Sequence, residues 1–147
     1  MAKPRKKPGD SPSLQRLLSE ASRRATADLE RVLHPEGIPV EFWRVLEVLA
    51  DEGGRPMSAL AEAVSMKLPS LSKLVDRMVA NALVQRAPDP EDSRRVLVYI
   101  SDVGLARVRR LEGTVQRQRL SLESSLGRAN GRELRRLLEA FIREQGS

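Results

Sequence analysis

The sequence predicts a mainly α-helical chain with one small β-hairpin, and three observations lead to that prediction. Apolar residues recur at helical spacing along most of the 147 residues. Aromatic residues make up only 3%, so the core must rest on Leu, Val and Ala, which suits helix packing better than a β-sandwich. Two short segments rich in β-branched and apolar residues, 84–87 and 96–101, flank a polar turn and are typical of a hairpin.

The composition narrows the class of protein. A chain of this length suits one domain with one core, and 40% hydrophobic against 31% charged residues indicates a globular protein. The net charge of +6 favours a polyanionic partner, nucleic acid before a membrane surface. The absence of cysteine excludes disulfides and thiolate chemistry. Because we find neither a secretory signal nor an apolar run long enough to span a bilayer, we expect a cytoplasmic protein with no membrane partner.

Residues 1–12 are predicted to form a flexible basic arm, since four cations lie among three prolines and a glycine. A solubilising tail and an arm that contacts DNA phosphates both fit this composition. A helix should follow over residues 13–33 with Ser13 as its N-cap, and the prolines of the segment 34–39 should end it. The cations of the arm are Lys3, Arg5, Lys6 and Lys7.

Residues 39–101 have the pattern of a winged helix-turn-helix. Helices are predicted over 40–51, 58–64 and 68–82, with turn chemistry at 52–56 and a tight connector at 65–67. The hairpin, or wing, follows the third helix directly. One apolar stripe along that helix should face the core, and it consists of Leu71, Leu74, Val75, Met78 and Ala82.

Two further helices are predicted over 102–126 and 132–145, separated by a break at 127–131. They and the first helix lie outside the winged helix, yet each carries an apolar face. Such faces must be buried against something, and a second copy of the chain is the economical partner. We therefore predict that segments 13–38 and 102–147 form the dimerisation part of a homodimer.

We call segment 39–101 the predicted DNA-binding lobe, and its third helix, residues 68–82, is a candidate for reading the DNA major groove. Ser70 and Ser72 are small enough to let the helix approach closely, while Lys73 and Arg77 can reach guanine edges or phosphates. Lys67 lies at the start of this helix, where the helix dipole also favours a phosphate. The alternative is an ordinary solvated face.

The wing carries Arg94 and Arg95 beside its turn, and an arginine at such a tip can enter the minor groove. Asp92 is an acid next to these cations. We expect it to brace the wing, by pairing with an arginine or by bonding turn amides. A merely solvated charged hairpin is the alternative.

The same stretch resembles the multiple-antibiotic-resistance-regulator (MarR) family of bacterial transcription factors. The resemblance rests on segments 69–78 (PSLSKLVDRM), 82–84 (ALV) and 89–101 (DPEDSRRVLVYIS), the following Gly104, and 39–50 (PVEFWRVLEVLA). It implies a triangular winged-helix dimer whose recognition helices enter successive major grooves of a pseudo-palindromic operator, about 34 Å apart. By position, it implies DNA contacts for Ser70, Ser72, Lys73 and Arg94, with Asp92 holding the wing in shape.

Three positions depart from the family pattern. Ala82 follows Asn81 where a glycine is common, Ser93 replaces a frequent arginine, and Lys67 stands where Ser or Thr often caps the recognition helix. These departures concern the affinity for DNA more than the fold.

We find no catalytic motif, and the single histidine has no companions for a metal site. We therefore predict no enzyme activity, no catalytic residue, no metal and no cofactor. By analogy with relatives that release DNA on binding phenolic or aromatic acids, His34, Trp43 and Arg44 lie in the region where such an effector binds. The alternatives are a helix-end or packing role for His34 and a core or interface role for Trp43.

The patterns combine to predict a DNA-binding transcriptional regulator, a homodimeric repressor released by a small aromatic or phenolic acid. Two other hypotheses remain open: a sequence-nonspecific architectural DNA-binding protein, and a dimeric module whose helix-turn-helix binds protein.

Overall fold

The structure is a computed structural model that describes residues 2, 9 and 11–146. The cations predicted for the basic arm, Lys3, Arg5, Lys6 and Lys7, lie outside the described residues. The elements in chain order are α1 (Leu14–Leu33), a 3-10 turn (His34–Glu36), α2 (Val40–Leu49), β1 (Arg55–Pro56), α3 (Met57–Ala63), α4 (Leu68–Ala80), β2 (Val84–Pro88), β3 (Val96–Ile100), α5 (Asp102–Ser124) and α6 (Arg128–Gln145). The prediction of a mainly α-helical chain with a small β-hairpin wing is confirmed.

Helix α1 begins as predicted, because the Ser13 hydroxyl accepts a hydrogen bond from the Arg16 N–H at 3.2 Å. Only its C-terminal end joins the core: Leu33 is fully buried, and Leu29 packs partly against the core. Leu14 and Leu17, which belong to the same predicted apolar face, are exposed. The helix therefore has an apolar face that is covered at one end only.

The core lies between the end of α1 and the middle of α5. Helix α2 is its centre, since six of its ten residues are buried, among them Trp43 and Leu46. Helices α3 and α4 pack around it together with the sheet. No polar or charged residue is buried among the described residues. The most deeply buried side chains are Leu33, Trp43, Val45, Leu46, Leu49, Leu60, Leu71, Val75, Met78, Val98 and Val115.

The sheet has three antiparallel strands in the order β1-β3-β2, with Val84 opposite Ile100 and Arg55 opposite Val98. The predicted two-stranded hairpin is therefore incomplete, because β1 lies in the segment 52–56 that the sequence predicted as a turn. Strand β1 has only two residues, which are too few to show the alternation of apolar and polar residues that predicts a strand. Gly54 admits this pairing, since a Cβ there would lie 2.5 Å from the Tyr99 ring.

The turn before β1 is held by Asp51. Its carboxylate accepts hydrogen bonds from the Gly53 N–H at 2.9 Å and from the Arg55 guanidinium. The Arg55 contact, followed by the Gly53 N–H, lowers the pKa of Asp51 below its ordinary value.

Helix α4 ends two residues earlier than predicted, and Ala82 is exposed instead of buried. The Leu83 N–H donates to the Met78 carbonyl at 3.0 Å and the Ala82 N–H to the Val79 carbonyl at 2.9 Å. These bonds close a helix terminus of the kind that needs a left-handed residue, and Ala82 takes that place with φ 58°. Ala82, which stands where the family often has a glycine, is therefore held in a backbone conformation that a side chain disfavours.

Helix α5 begins against the end of α4. The Ser101 hydroxyl accepts from the Gly104 N–H at 3.0 Å and donates to the Ala82 carbonyl at 2.6 Å. Gly104 allows the approach, since a Cβ there would lie 2.3 Å from the Leu83 carbonyl oxygen. The buried face of α5 ends at Val115, so the last two turns of the helix leave the core.

Helix α5 ends at Ser124, two residues earlier than predicted, and α6 begins at Arg128 instead of residue 132. The break between them is therefore 125–127 instead of the predicted 127–131. Gly131 lies inside the helix, where a Cβ would come within 2.2 Å of the Glu123 carbonyl oxygen of α5. The glycine read as a helix breaker therefore serves close packing between α5 and α6. Helix α6 has no buried residue. No helix in the described part of the chain has the length and apolar character needed to cross a membrane.

Candidate nucleic-acid interface

Helix α4 separates a buried side from an exposed side. Four apolar residues of the predicted stripe, from Leu71 to Met78, are at most 3% exposed and fix the helix against the core. The residues of α4 that are predicted to contact DNA lie outside that stripe, and all of them are exposed: Ser70, Ser72, Lys73 and Arg77. The helix therefore offers small polar groups and cations on a surface anchored from behind.

The N-terminus of α4 lacks a side-chain cap. Lys67 occupies the N-cap position and makes no capping hydrogen bond, and Pro69 lies in the first turn. The N–H groups of the first turn of α4 therefore have no side-chain acceptor, and the positive end of the helix dipole is not neutralised. The exposed side chain of Lys67 adds a positive charge at this end. This end of the helix suits a phosphate oxygen better than a capped terminus would.

The wing, defined here as β2, β3 and the turn 89–95 between them, is closed by hydrogen bonds that centre on Asp92. Its Oδ1 accepts from the Arg94 backbone N–H at 3.1 Å and from the Arg94 Nε at 3.2 Å. Its carbonyl accepts from the Arg95 N–H, and the Arg95 carbonyl accepts from the Asp89 N–H, both at 2.9 Å. One carboxylate thus sets both the turn backbone and the base of the Arg94 side chain.

Arg94 is nevertheless open to solvent, with its side chain 90% exposed. Its Nε is held by Asp92, which leaves the outer nitrogens of the guanidinium able to donate to another molecule. Arg95 is also exposed. The wing therefore presents two cations at its tip on a turn of fixed shape.

Arg77 differs from the other predicted contacts. Its guanidinium carbon lies 5.1 Å from the centre of the Phe42 ring, a cation–π contact with α2. This contact holds the Arg77 side chain on the side of α4 that is next to α2. Arg77 therefore lies at the edge of the exposed face of α4 and not at its centre.

Sequence reasoning missed an ion pair between α4 and the wing. Arg86 of β2 donates to the Asp76 carboxylate of α4 at 2.6 Å. The two residues are ten positions apart and belong to different elements, so neither periodicity nor spacing pairs them.

Comparison with known proteins agrees with this geometry. A family model described as MarR family matches residues 36–95, which run from the α1–α2 connection to the wing. The HTH-type transcriptional repressor IacR of Pseudomonas putida is 33% identical over 125 residues, which are 85% of this chain and 75% of that protein. The chain belongs to the MarR family. The resemblance seen in the sequence is thereby confirmed, and the protein is a DNA-binding transcriptional regulator of a family whose members are regulators and not enzymes.

Two further relatives extend the match. The homoprotocatechuate degradative operon repressor of Escherichia coli is 24% identical over 130 residues, 88% of each chain. The crystal structure of a mutant MarR from E. coli complexed with operator DNA superposes with a TM-score of 0.77 and 26% identity. The superposition covers 88% of this chain and 93% of the MarR chain. A relative with this fold therefore binds an operator.

The three residues predicted to bind an effector do not meet in one cavity of the protomer. His34 borders a depression of about 430 Å³ beside the α1–α2 connection, Arg44 one of about 320 Å³ between α2 and α3, and Trp43 one of about 470 Å³ between α2 and α5. Arg44 donates to the Thr26 hydroxyl of α1 at 3.3 Å. Trp43 and Arg44 are separated because adjacent residues of a helix point about 100° apart. His34 lies before α2, in the 3-10 turn.

The Trp43 depression has the most distinctive chemistry of the three. Trp43 is 1% exposed, and its buried Nε1–H finds no acceptor among the described residues. Arg119 of α5 lines the same depression and forms an ion pair with Glu47 of α2, which also lines it. Sequence reasoning missed Arg119 and Glu47, which are 72 residues apart. The rest of the lining is mixed, with Ala50, Val108 and Gly113 beside the polar side chains of Glu112 and Gln116.

Among the described residues, no group of three or more His, Asp or Glu side chains is placed to hold a metal ion.

Proposed function

We propose that this protein is a homodimeric repressor that binds a pseudo-palindromic operator and is released from it by a small aromatic or phenolic acid. The observation that carries the proposal is the pairing of an anchored polar helix with a wing whose arginine is braced at its base and open at its tip. Packing within the protomer explains neither the exposed polar face of α4 nor the exposed guanidinium of Arg94.

The two elements suit the two grooves of B-DNA. Ser70, Ser72 and Lys73 would approach base edges in the major groove, and Lys67 would neutralise a phosphate at the helix N-terminus. Arg94 would enter the adjacent minor groove with Arg95 at its rim, where the narrow groove concentrates negative potential. Arg77 would leave Phe42 or contact the backbone from the α2 flank.

The terminal helices support a dimer. Ten of the fourteen large hydrophobic residues that are exposed in the described chain lie on α1 or in the segment from the end of α5 through α6. A monomer rarely leaves so many large apolar side chains exposed on its terminal helices, and a two-fold symmetric partner would cover the same faces in both copies. The ten residues are Leu14, Leu17, Leu120, Leu122, Leu126, Leu134, Leu137, Leu138, Phe141 and Ile142.

The Trp43 depression is the best place for an effector. A carboxylate or phenolate oxygen would pair with Arg119, and the ring would lie against Trp43, Ala50 and Val108. The same anion would compete with Glu47 for Arg119, which would loosen the ion pair that joins α2 of the DNA-binding lobe to α5. The E. coli repressor of the homoprotocatechuate degradative operon, which is named for an aromatic acid, supports this chemical class.

Such a ligand would act by shifting a population. It must bind better to a dimer whose recognition helices have the wrong separation for the operator than to the competent form. By reciprocity, operator binding must lower the affinity for the ligand by the same factor by which the ligand lowers the affinity for the operator.

Selective DNA binding tests the first half of the proposal. Duplexes of about 30 base pairs would be selected from random DNA by the full-length protein and competed against unselected DNA at matched salt. We expect a specificity ratio well above ten, because operator-binding proteins exceed their nonspecific affinity by about 10³-fold or more. Equal affinities would favour an architectural protein, and the absence of salt-dependent binding would favour a protein-binding module.

The fluorescence of Trp43 tests the second half, since it is the only tryptophan in the chain. Titration with benzoates and hydroxybenzoates should change its emission and weaken operator binding, whereas the corresponding neutral amides should do neither. Arg119→Gln should lose the response. The matched control is Arg117→Gln, an exposed α5 residue that bonds Thr114 and does not line the depression. An unchanged response in Arg119→Gln would remove the site from the proposal.

A further inference from the structure

Asp76 is an acid on the side of α4 that faces away from the core. It follows Ser72 by four residues and Lys73 by three, so it lies one turn further along the same exposed face. Its side chain is 63% exposed. A helix that approaches DNA with this face therefore carries a carboxylate among its proposed DNA contacts.

An unpaired carboxylate in that place would oppose binding, because it would approach phosphates of the same sign. The protein supplies a counter-charge from another element. Arg86 Nη2 lies 2.6 Å from Asp76 Oδ1, and the Arg86 side chain is only 34% exposed. The guanidinium is thus placed by packing of its stem as well as by the ion pair.

The pair also joins α4 to the wing at a second point. The first is the end of the helix, where the Leu83 N–H donates to the Met78 carbonyl. Arg86 lies further along, in β2, opposite Val98 in the middle of β3. The base of the wing is also held by the core, in which Val84 and Val98 are buried, and by the pairing of β3 with β1. The ion pair adds a contact on the solvent side of β2, so it restrains the exposed part of the wing relative to α4.

We propose that Asp76 and Arg86 form a brace that sets the angle between α4 and the wing, so that α4 in the major groove brings Arg94 to the minor groove. Arg86 is then a positioning residue that acts through the wing, and Asp76 is its anchor. The inference rests on the proposed function, since it concerns how the same surface meets DNA.

Asp76 has one other chemically sound role, as a reader of a base, because a carboxylate can accept a hydrogen bond from cytosine N4. The two roles differ in what they require of Arg86. A brace needs both partners for the wing contact. A base reader needs a free carboxylate and would change base preference when replaced.

The test uses the full-length protein with a duplex of about 30 base pairs selected from random DNA by the wild type. The variants are Asp76→Asn, Arg86→Gln, the double variant and Arg86→Lys. The matched control is Arg136→Gln, which removes an arginine paired to Glu133 at the same 2.6 Å on α6. Affinity is measured by anisotropy, minor-groove contact by hydroxyl-radical footprinting, and major-groove contact by protection of guanine N7 from methylation.

Arg86→Gln should weaken binding by about tenfold, the effect of losing one good DNA contact. It should lose hydroxyl-radical protection at the wing positions and keep protection of guanine N7. Asp76→Asn in the Arg86→Gln background should recover part of the affinity, because the unpaired acid is gone, but not the wing protection. Arg86→Lys should retain most of the wing protection, and Arg136→Gln should match the wild type.

Intact wing protection in Arg86→Gln would overturn the brace. So would a double variant that is weaker than Arg86→Gln, or a changed base preference in Asp76→Asn alone. These failures are separate from failure of the proposed function, which would show itself earlier as a wild type that selects no sequence.

Discussion

The DNA-binding lobe and helix α6 have similar apolar stripes but different degrees of burial. In α4 the stripe residues from Leu71 to Met78 are at most 3% exposed, whereas in α6 no residue is buried and Phe141 is 39% exposed. An amphipathic pattern therefore shows that a face needs a cover, but not whether the same chain supplies it. The core covers the apolar stripe of α4 within the chain, whereas the apolar stripe of α6 stays exposed.

The largest effect should follow from a cavity in the lobe. Leu46 of α2 is fully buried, so Leu46→Ala should lower the free energy of unfolding by about 2–5 kcal/mol. Urea denaturation of the purified protein measures this loss. Ala at Leu14, whose side chain is exposed at the far end of α1, is the matched leucine deletion and should leave the lobe's packing unchanged. A smaller loss for Leu46→Ala than for Leu14→Ala would contradict the contrast between the two regions.

A charge on the α6 stripe should break the proposed dimer without unfolding the lobe. Phe141→Asp would place an unpaired carboxylate in the interface, and we expect the dimer dissociation constant to rise about a hundredfold or more. Sedimentation equilibrium measures the change, and circular dichroism checks that the helices persist. Arg136→Gln, on the opposite side of α6, is the control. A Phe141→Asp protein that remains dimeric would place the interface elsewhere.

Removal of the wing arginine should affect DNA binding alone. Arg94→Ala should weaken operator binding by about tenfold and reduce the salt dependence by about one phosphate equivalent, because one cation leaves the interface. Gel-shift titrations at several salt concentrations give both quantities. The dimer should be intact in sedimentation. Binding equal to that of the wild type would remove Arg94 from the interface.

The smallest effect should come from the strained residue at the end of α4. Ala82→Gly should stabilise the protein by about 0.5–1 kcal/mol, because glycine adopts a positive φ without the penalty that a Cβ imposes. Ala80→Gly, two residues earlier and within the helix, should have the opposite sign and destabilise by up to about 1 kcal/mol. Thermal unfolding of the two variants side by side decides the sign. A destabilising Ala82→Gly would mean that φ at this position is not the source of strain.

Local chemistry made most of the fold predictable. Helix periodicity placed α1, α2 and α4 within two residues, and Ser13 and the polar turn at 89–92 indicated the correct helix start and wing. The two-residue β1 escaped because it has no period of its own and depends on pairing with Val98. Gly131 misled because glycine is used for close helix packing as well as for helix termination.

In the candidate DNA interface, too, local features could be predicted from the sequence, whereas contacts between separate elements could not. Exposure of Ser70, Lys73 and Arg94 follows from position on one helix or in one turn, so the sequence could indicate it. The pairs Asp76–Arg86 and Glu47–Arg119 depend on how separate elements pack, and nothing in the spacing of these residues announces them. In the proposed dimer a second molecule would cover α6, and neither the sequence nor the structure of a single chain contains that contact.

In the proposed dimer the apolar terminal helices hold two DNA-binding lobes at a fixed separation. A change in the spacing of the two half-sites tests this arrangement. About five base pairs, half a helical turn, would be inserted at the centre of the selected duplex, which moves one half-site to the opposite face of the DNA. We expect the affinity to fall to that of a single half-site. Undiminished binding to the lengthened duplex would show that the two lobes do not bind DNA as one rigid pair.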